Sequence, residues 1–338
     1  MNSVFDLDTI EVPLRTKIKL YKKRAREIEL YLSKRPNEWG KFQSEFNQEV
    51  NSIFRDIMNF EKVNLAAGRE DRVYKLKRLF INRIRQIFVR GVYIDWSLRK
   101  PFGYAGDFKI IDDIYKNNPS TTGFDRLFDN YFQMSAISVA VRNRKEDFKR
   151  AVVNFINNRQ NSILRIMNLA SGPCRDIQEV LSSNSALCKN ATFDCYDSDG
   201  KAIEFAKALL ANDPKVSFFE ENALRIAVKK NTSADKKYDF IYSAGLFDYF
   251  SERVAIRVVR GLKKLLTSEG TLLISNVRDK YSNPSVHFME WTGDWNLVYR
   301  DEDNFRRIFI EAGFKENEID AQYEQQGIME YIVAFNRK

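Results

Sequence analysis

Apolar residues recur at helical spacing through the early part of the chain and gather into short runs later. Residues 15–32 place Ile18, Tyr21, Ala25, Ile28 and Leu32 at that spacing, and Pro36 follows. Residues 38–67 repeat it through Phe42, Phe46, Val50, Phe54 and Ile57, then stop at Gly68. Residues 72–92 continue with Leu76, Leu79, Ile84, Ile87 and Phe88 up to Gly91. The pattern predicts long antiparallel helices packed on one another. A different stretch follows over 96–107, with two glycines and a proline in Lys100-Pro-Phe-Gly-Tyr-Ala-Gly-Asp107. Shorter helices, the first over 108–115, then lead to Asn158.

From Ile163 the rhythm changes. Strands are expected at 163–169, 192–196, 216–220, 238–243, 271–276, 319–322 and 331–335, with helices between most of them. Strand and helix alternating over this length predict an α/β fold with a mostly parallel, doubly wound sheet. Two domains are expected: a helical one over 1–158, with a lid segment near 100–107, and the α/β one over 159–338.

Composition narrows the partners. No apolar run is long enough to span a membrane. Residues 1–10 carry acids and no apolar core, unlike a secretory leader, so a cytoplasmic location is expected. The 3 cysteines lack metal-ligand spacing and the chain has 1 histidine, so no metal site is expected. The net charge of +9 is uneven: residues 1–150 hold 30 Lys and Arg against 20 Asp and Glu, and residues 151–338 hold 25 against 26. Bases alternate with acids along the basic half and form no compact run. Solvated helix faces explain that better than a nucleic-acid partner, which is not expected.

The candidate chemistry lies at the strand ends. Strand one ends in Asn168-Leu-Ala-Ser-Gly-Pro-Cys174, a small-residue turn before a helix N-terminus that favours anionic groups. Only Gly172 remains of the usual glycine triplet; Ala170 and Cys174 stand at the other two places. Strand two ends at Tyr196-Asp197, where an acid can accept bonds from both ribose hydroxyls; Asp199 is the expected cap of the next helix. Asn222, after strand three, can hydrogen-bond an adenine edge or simply be a loop asparagine. Strand four runs into Tyr242-Ser-Ala-Gly-Leu-Phe-Asp-Tyr249, small residues and then aromatics that form a ledge. A helix end, a turn and a buried strand follow over 266–276.

In this order the five segments resemble the class I S-adenosylmethionine-dependent methyltransferases. Four segments also resemble bacterial methyltransferases assigned to 3-hydroxypalmitic acid methyl ester biosynthesis. They are Gly103-Tyr-Ala-Gly-Asp107, Asn168 to Arg175, Tyr242 to Tyr249, and the stretch with Met289-Glu290, Asp294-Trp295 and Tyr299-Arg300. The likeness covers roughly 96–338. It implies a Rossmann-like seven-stranded sheet of order 3-2-1-4-5-7-6 with an antiparallel last strand, and S-adenosylmethionine as cofactor. It implies that Ala170, Ser171 and Gly172 face the methionine, Asp197 with Ser198 beside it the ribose, and Asn222 and Ala223 the adenine. Ser243 and Gly245 would border the sulfonium.

Two further segments are candidates for the acceptor pocket. One is 103–107, where Tyr104 and Asp107 could face the cofactor, although Asp107 could equally start the helix after it. The other is the insertion 278–300, which holds His287, Tyr281, Glu290, Trp291, Trp295 and Arg300. The two are expected to close over the cofactor from opposite sides. Tyr104, His287 and Glu290 are the catalytic candidates, and Arg142, Tyr249, Tyr281, Trp291, Trp295 and Arg300 the acceptor contacts. Arg142 and Arg144 suit a carboxylate. Lack of an obvious acid–base pair leans toward an acceptor that is already ionised, a fatty-acid-like carboxylate. A small-molecule N-methyltransferase, with Glu290 or Asp248 holding a cation, and an RNA methyltransferase stay open. A homodimer is compatible with the sequence.

Overall fold

The computed structural model describes residues 12–211, 213–228 and 236–337. They form two compact units, Met1–Ser138 with Asn283–Asn296, and Val139–Ser282 with Leu297–Lys338.

The helical unit contains α1 (Val12–Lys34), α2 (Gln43–Ala66), α3 (Glu70–Leu79), α4 (Gly91–Arg99), α5 (Phe108–Lys116) and α6 (Gly123–Met134). Its core is aromatic. Tyr21 stacks on Phe88 at 5.1 Å, and Phe54 meets Phe80 at 5.8 Å, Phe88 at 5.1 Å and Phe288 at 5.3 Å. The long third helix expected over 72–92 is broken: α3 gives way to a π-helical turn, Phe80–Ile84, and a short 3-10 turn, Arg85–Ile87. Apolar spacing alone does not register the change, because Phe80, Ile84 and Phe88 stay buried through it. Trp96, expected in an irregular stretch, lies in α4. Many bases of this unit are paired, among them Lys17 with Asp56, Arg24 with Glu45, Arg90 with Glu29 and Asp125, and Lys109 with Asp113. Pairing of this kind disperses the positive charge.

The second unit is the α/β one. Its strands are β1 (Leu164–Leu169), β2 (Ala191–Asp197), β3 (Val216–Glu220), β4 (Tyr238–Ser243), β5 (Leu266–Val277), β6 (Ile319–Tyr323) and β7 (Met329–Phe335). They stand in the order β3-β2-β1-β4-β5-β7-β6, with β7 antiparallel to both neighbours. This is the order the resemblance implied. The helices of this unit are α7 (Ala136–Asn157), α8 (Arg175–Ser183), α9 (Gly200–Leu209), α10 (Ala223–Val228), α11 (Glu252–Leu265) and α12 (Glu302–Glu311). On one face Val258, Val259 and Leu262 of α11 and Phe305, Ile308 and Phe309 of α12 pack on Ile241, Leu272, Ile274 and Ile332. On the other, α7 sets Phe148 against Tyr242 and Tyr331, and Phe155 against Phe240. That packing corrects the expected boundary. The helix before β1 belongs to the sheet it covers, so the division falls at Ser138 and not at Asn158.

Helices α10 and α11 cross closely at Gly261, where a Cβ would lie 2.4 Å from Ala227 Cα and from its carbonyl oxygen. Backbone cannot yield as a side-chain tip can, and overpacking costs about 1–3 kcal/mol. Gly261→Ala should therefore lower the urea midpoint by an amount in that range. An unchanged midpoint would mean that the two helices are free to separate.

Candidate functional site

The carboxyl ends of β1, β2 and β4 gather the predicted cofactor residues. After β1, Ala170, Gly172 and Cys174 all adopt left-handed backbone, with φ of 54°, 52° and 53°. The backbone thus keeps the shape of a glycine triplet although two of the three residues carry a Cβ. A non-glycine residue held there costs about 1–2 kcal/mol. A Cβ placed on Gly172 would meet no atom within 4 Å. The turn is open at that point, and backbone there can be approached. Ser171 is buried, its Oγ has no hydrogen-bond partner, and Cys174 makes no side-chain cap to α8. Together they leave hydrogen-bonding capacity for a bound group.

Asp197 holds this turn. Its Oδ2 accepts the Gly172 N–H at 2.8 Å and its Oδ1 the Asp199 N–H at 3.0 Å. Burial pushes the carboxyl above its ordinary range, against the backbone N–H groups that stabilise its ionised form. Asp199 caps α9 through the Lys201 N–H at 2.9 Å, as expected, and Ser198 beside it is exposed. Asn222 is exposed, and its Oδ1 accepts the Leu224 N–H at 2.8 Å, capping the start of α10, while Ala223 is buried. The loop reading of Asn222 is therefore met in part; its amide nitrogen is not used in that cap.

At the end of β4, Ser243 Oγ donates to the Leu169 carbonyl at 2.8 Å and fixes β4 to β1. Gly245 lies against Arg144 of α7: a Cβ there would sit 3.3 Å from Nη2. Arg144 is buried with only long contacts, Nη1 lying 3.4 Å from Asp248 Oδ2 and 3.5 Å from Ser275 Oγ, and Nε has no partner. Asp248 is buried and accepts the Val277 N–H at 2.7 Å; burial pushes its carboxyl up to about 6, and Arg144 and Arg300 oppose the shift. The sequence reading named Arg142 and Arg144 together for a carboxylate; Arg142 is half-buried and burial lowers its pKa. The signal for Arg144 was present: Ala140, Arg144, Phe148 and Val152 repeat every four residues and are all buried.

Other predicted residues are occupied elsewhere. Arg300 donates to the Phe247 carbonyl at 2.9 Å and also to the Phe250 carbonyl and Asn276 Oδ1. It ties down the loop after β4, so an acceptor contact would compete with three bonds. Tyr249 is exposed after that loop, and Tyr281 is half-buried in the turn Lys280–Ser282.

Asp107 is fully buried; its Oδ1 accepts the Lys109 and Ile110 N–H groups at 3.0 Å each, and its Oδ2 accepts Trp96 Nε1–H at 2.7 Å. It is the cap of α5. Tyr104 is half-buried in the turn before it. The segments 103–107 and 283–296 both fall in the helical unit, whereas 278–282 and 297–300 of the expected insertion fall in the α/β unit. Lys100 Nζ meets Asp294 Oδ2 at 2.6 Å, and a Cβ on Gly293 would lie 3.3 Å from Ser97 Cβ. His287, Glu290, Trp291 and Trp295 are all buried in that unit.

A groove of about 550 Å³ runs between α7 and the sheet, lined among others by Asp147, Phe155, Phe240, Thr271 and Tyr331. Phe240 and Thr271 lie toward the amino ends of β4 and β5, away from the edge that carries Asp197 and Ser243. Its size alone does not make it the site. Among the described residues no group of His, Cys, Asp and Glu could hold a metal ion, and the 3 cysteines are buried and unpaired.

No protein-family model and no curated protein matches the chain. Solved structures do. A Bordetella parapertussis protein, described as a possible exported protein, is 15% identical with a TM-score of 0.60, covering 78% of this chain and 96% of that one. A Synechocystis magnesium protoporphyrin IX methyltransferase with bound S-adenosylhomocysteine is 13% identical with a TM-score of 0.47, over 75% of this chain and 100% of that one. A Bradyrhizobium japonicum N-methyltransferase, also with S-adenosylhomocysteine, is 14% identical with a TM-score of 0.41, over 57% and 88%. The Bordetella likeness establishes a shared fold and nothing beyond it.

The left-handed Ala170 makes a direct expectation. Ala170→Gly removes about 1–2 kcal/mol of backbone strain and adds about 0.5–1 kcal/mol of unfolded-state entropy. The variant should be as stable as the parent or more so by up to about 1 kcal/mol, read from denaturant unfolding. A clear loss of stability would show that the Ala170 methyl makes contacts worth more than the strain.

Proposed function

We propose that this protein is an S-adenosylmethionine-dependent methyltransferase acting on a small molecule. The observation that carries the reading is the β3-β2-β1-β4-β5-β7-β6 order with its antiparallel β7, set over a β1 turn that keeps three left-handed residues. The residues present suit the cofactor. Open backbone at Gly172, the unpartnered Ser171 Oγ and the α8 N-terminus would hold the methionine part. The Asp197 carboxylate has lone pairs left beyond its two backbone bonds for the ribose hydroxyls. Asn222 and Ala223 would border the adenine, and Ser243 and Gly245 the sulfonium.

When bound, S-adenosylmethionine supplies a methyl group on a positively charged sulfur, open to in-line displacement. The residues of the chain have then to align the acceptor and exclude water. For the acceptor we favour a carboxylate of fatty-acid-like character, as in the resemblance to 3-hydroxypalmitic acid methyl ester biosynthesis. Arg144 supports it: a buried guanidinium with unused donors, beside Gly245, is suited to an incoming carboxylate. Such an acceptor is already ionised at neutral pH and needs no base. The N-methyltransferase alternative loses support at Asp248, whose carboxylate is engaged by the Val277 N–H and Arg144. The RNA alternative loses support from the many ion pairs of the helical unit. A cytoplasmic location and a homodimer stay expectations; no helix among the described residues is long and apolar enough to cross a membrane.

Calorimetry should detect S-adenosylmethionine or S-adenosylhomocysteine binding, with NAD far weaker. A hydrogen bond to a charged group is worth about 1.5–3 kcal/mol, so Asp197→Ala should weaken that binding at least about tenfold. Tight NAD binding, or an Asp197→Ala variant of unchanged affinity, would remove the basis of the reading.

The acceptor is tested with methyl-labelled cofactor and an extract of the host. Label on a carboxylate leaves as methanol in mild alkali, whereas label on an ether oxygen or an amine does not. Alkali-stable label would rule out the carboxylate. Arg144→Ala should cut labelling at least about tenfold. Affinity for S-adenosylhomocysteine, measured beside it, tells whether the carboxylate held by Arg144 belongs to the cofactor or to the acceptor.

A further inference from the structure

The helical unit buries polar atoms that its own hydrogen bonds leave unsatisfied. His287 immediately precedes the π-helical turn Phe288–Thr292. Bonds from i to i+5 widen such a turn, so residues four and five apart share a face. His287, Trp291 and Thr292 have that spacing, and all are buried, at 1%, 1% and 0% exposure. Both imidazole nitrogens, the Trp291 indole N–H and the Thr292 hydroxyl have no hydrogen-bond partner. Buried Glu61, from α2, brings Oε2 to 3.2 Å from His287 Nε2, out of line for a hydrogen bond. The His287 and Trp291 rings are 5.6 Å apart, and Phe80, the first residue of the other π-helical turn, lies 5.5 Å from Trp291.

A buried donor or acceptor left unmade costs about 1–3 kcal/mol, and native interiors hold few of them. Here four sit on one face of one short turn. Turns of this π type recur at functional sites. The chemistry of the face limits what completes it. The Trp291 N–H can only donate and the Thr292 hydroxyl can do either, so a cation is disfavoured. Glu61 disfavours an anion. The face thus presents a donor in the Trp291 N–H and acceptor capacity in the Thr292 hydroxyl and the Glu61 carboxylate, so the matching group both gives and takes a hydrogen bond, as a hydroxyl does. The surrounding rings of Phe54, Phe80, Phe88 and Phe288 require the rest of the ligand to be apolar.

We infer that the helical unit holds a binding site for an apolar molecule bearing a hydroxyl, whose oxygen accepts from Trp291 Nε1 and the Thr292 hydroxyl and whose own O–H donates to His287 or Glu61. The site lies within one unit and does not depend on the methyl-transfer reading.

His287 is the only histidine in the chain, so nitrogen-resolved NMR of the labelled full-length protein gives one set of imidazole signals. The Trp291 indole is assigned by its loss in Trp291→Phe. Phenol and benzene are the probes, nearly equal in shape and different in the hydroxyl. Millimolar phenol should shift both signals saturably, with benzene weaker by about tenfold, the worth of a buried hydrogen bond. Thr292→Val should weaken phenol and leave benzene unchanged. If neither signal moves with phenol, ordered waters complete the cluster and the inference fails. It fails equally if benzene matches phenol in the parent protein. No cofactor is present in this experiment, so its outcome is separate from that of the methyl-transfer tests.

Discussion

One carboxylate organises the edge of the sheet on which the functional reading rests. Asp197 closes β2, and its two oxygens fasten the turn after β1 through Gly172 and the start of the next loop through Asp199. Its backbone carbonyl accepts the Glu221 N–H at 2.9 Å, which fixes the loop after β3 as well. Three neighbouring strand ends are thus set by a single residue. Ser243 does the same for β4 by bonding the Leu169 carbonyl. Loops held this way before any ligand arrives need not be ordered by it, and the ordering entropy that weakens binding is already met by the fold. The cost appears in the backbone, where Ala170 and Cys174 stay left-handed. Strain of this kind persists only where surrounding bonds over-determine the conformation, and the Asp197 and Ser171 bonds provide that.

The same constraint explains how much of this region was legible in the sequence. Parallel strands covered on both faces read as short apolar runs, and each of the seven expected runs is a strand. The β1 turn read as a degraded glycine motif because residue type was the only signal. The conformation survived the loss of two glycines, since a small side chain tolerates a left-handed φ at moderate cost. Asp199 as a cap was legible because capping is local. Asp107 was ambiguous for the same reason: a cap and a ligand contact ask for the same residue, and the Trp96 N–H that completes its bonding comes from another helix.

What the sequence left hidden is long-range. Residues 283–296 sit between strands of the α/β unit in the chain, and nothing in their spacing indicates that they pack with helices some two hundred positions earlier. The Lys100–Asp294 pair and the contact of Phe288 with Phe54 are products of folding, not of local pattern. Which of Arg142 and Arg144 turns inward was also hidden. A charged residue on an amphipathic helix is first read as solvent-facing, and its buried spacing with Ala140, Phe148 and Val152 has to outweigh that prior.

The two units place their open buried polar groups differently. Along the sheet edge that carries Asp197 and Ser243 the strand-end loops are fastened by neighbours, and the open groups there, Ser171 Oγ, Arg144 Nε, Arg278 Nε and the Glu330 carboxyl, border the strand ends. In the helical unit the open groups lie inside an aromatic core. A core built for stability alone would fill His287 and Glu61 with apolar residues of similar volume, since replacing both partners of a polar contact in that way can be nearly neutral or stabilising. The aromatic cluster around them has the material to do so. That it holds the sole histidine of the chain, a buried glutamate and two π-helical turns instead is the mark of a region whose sequence answers to something other than packing.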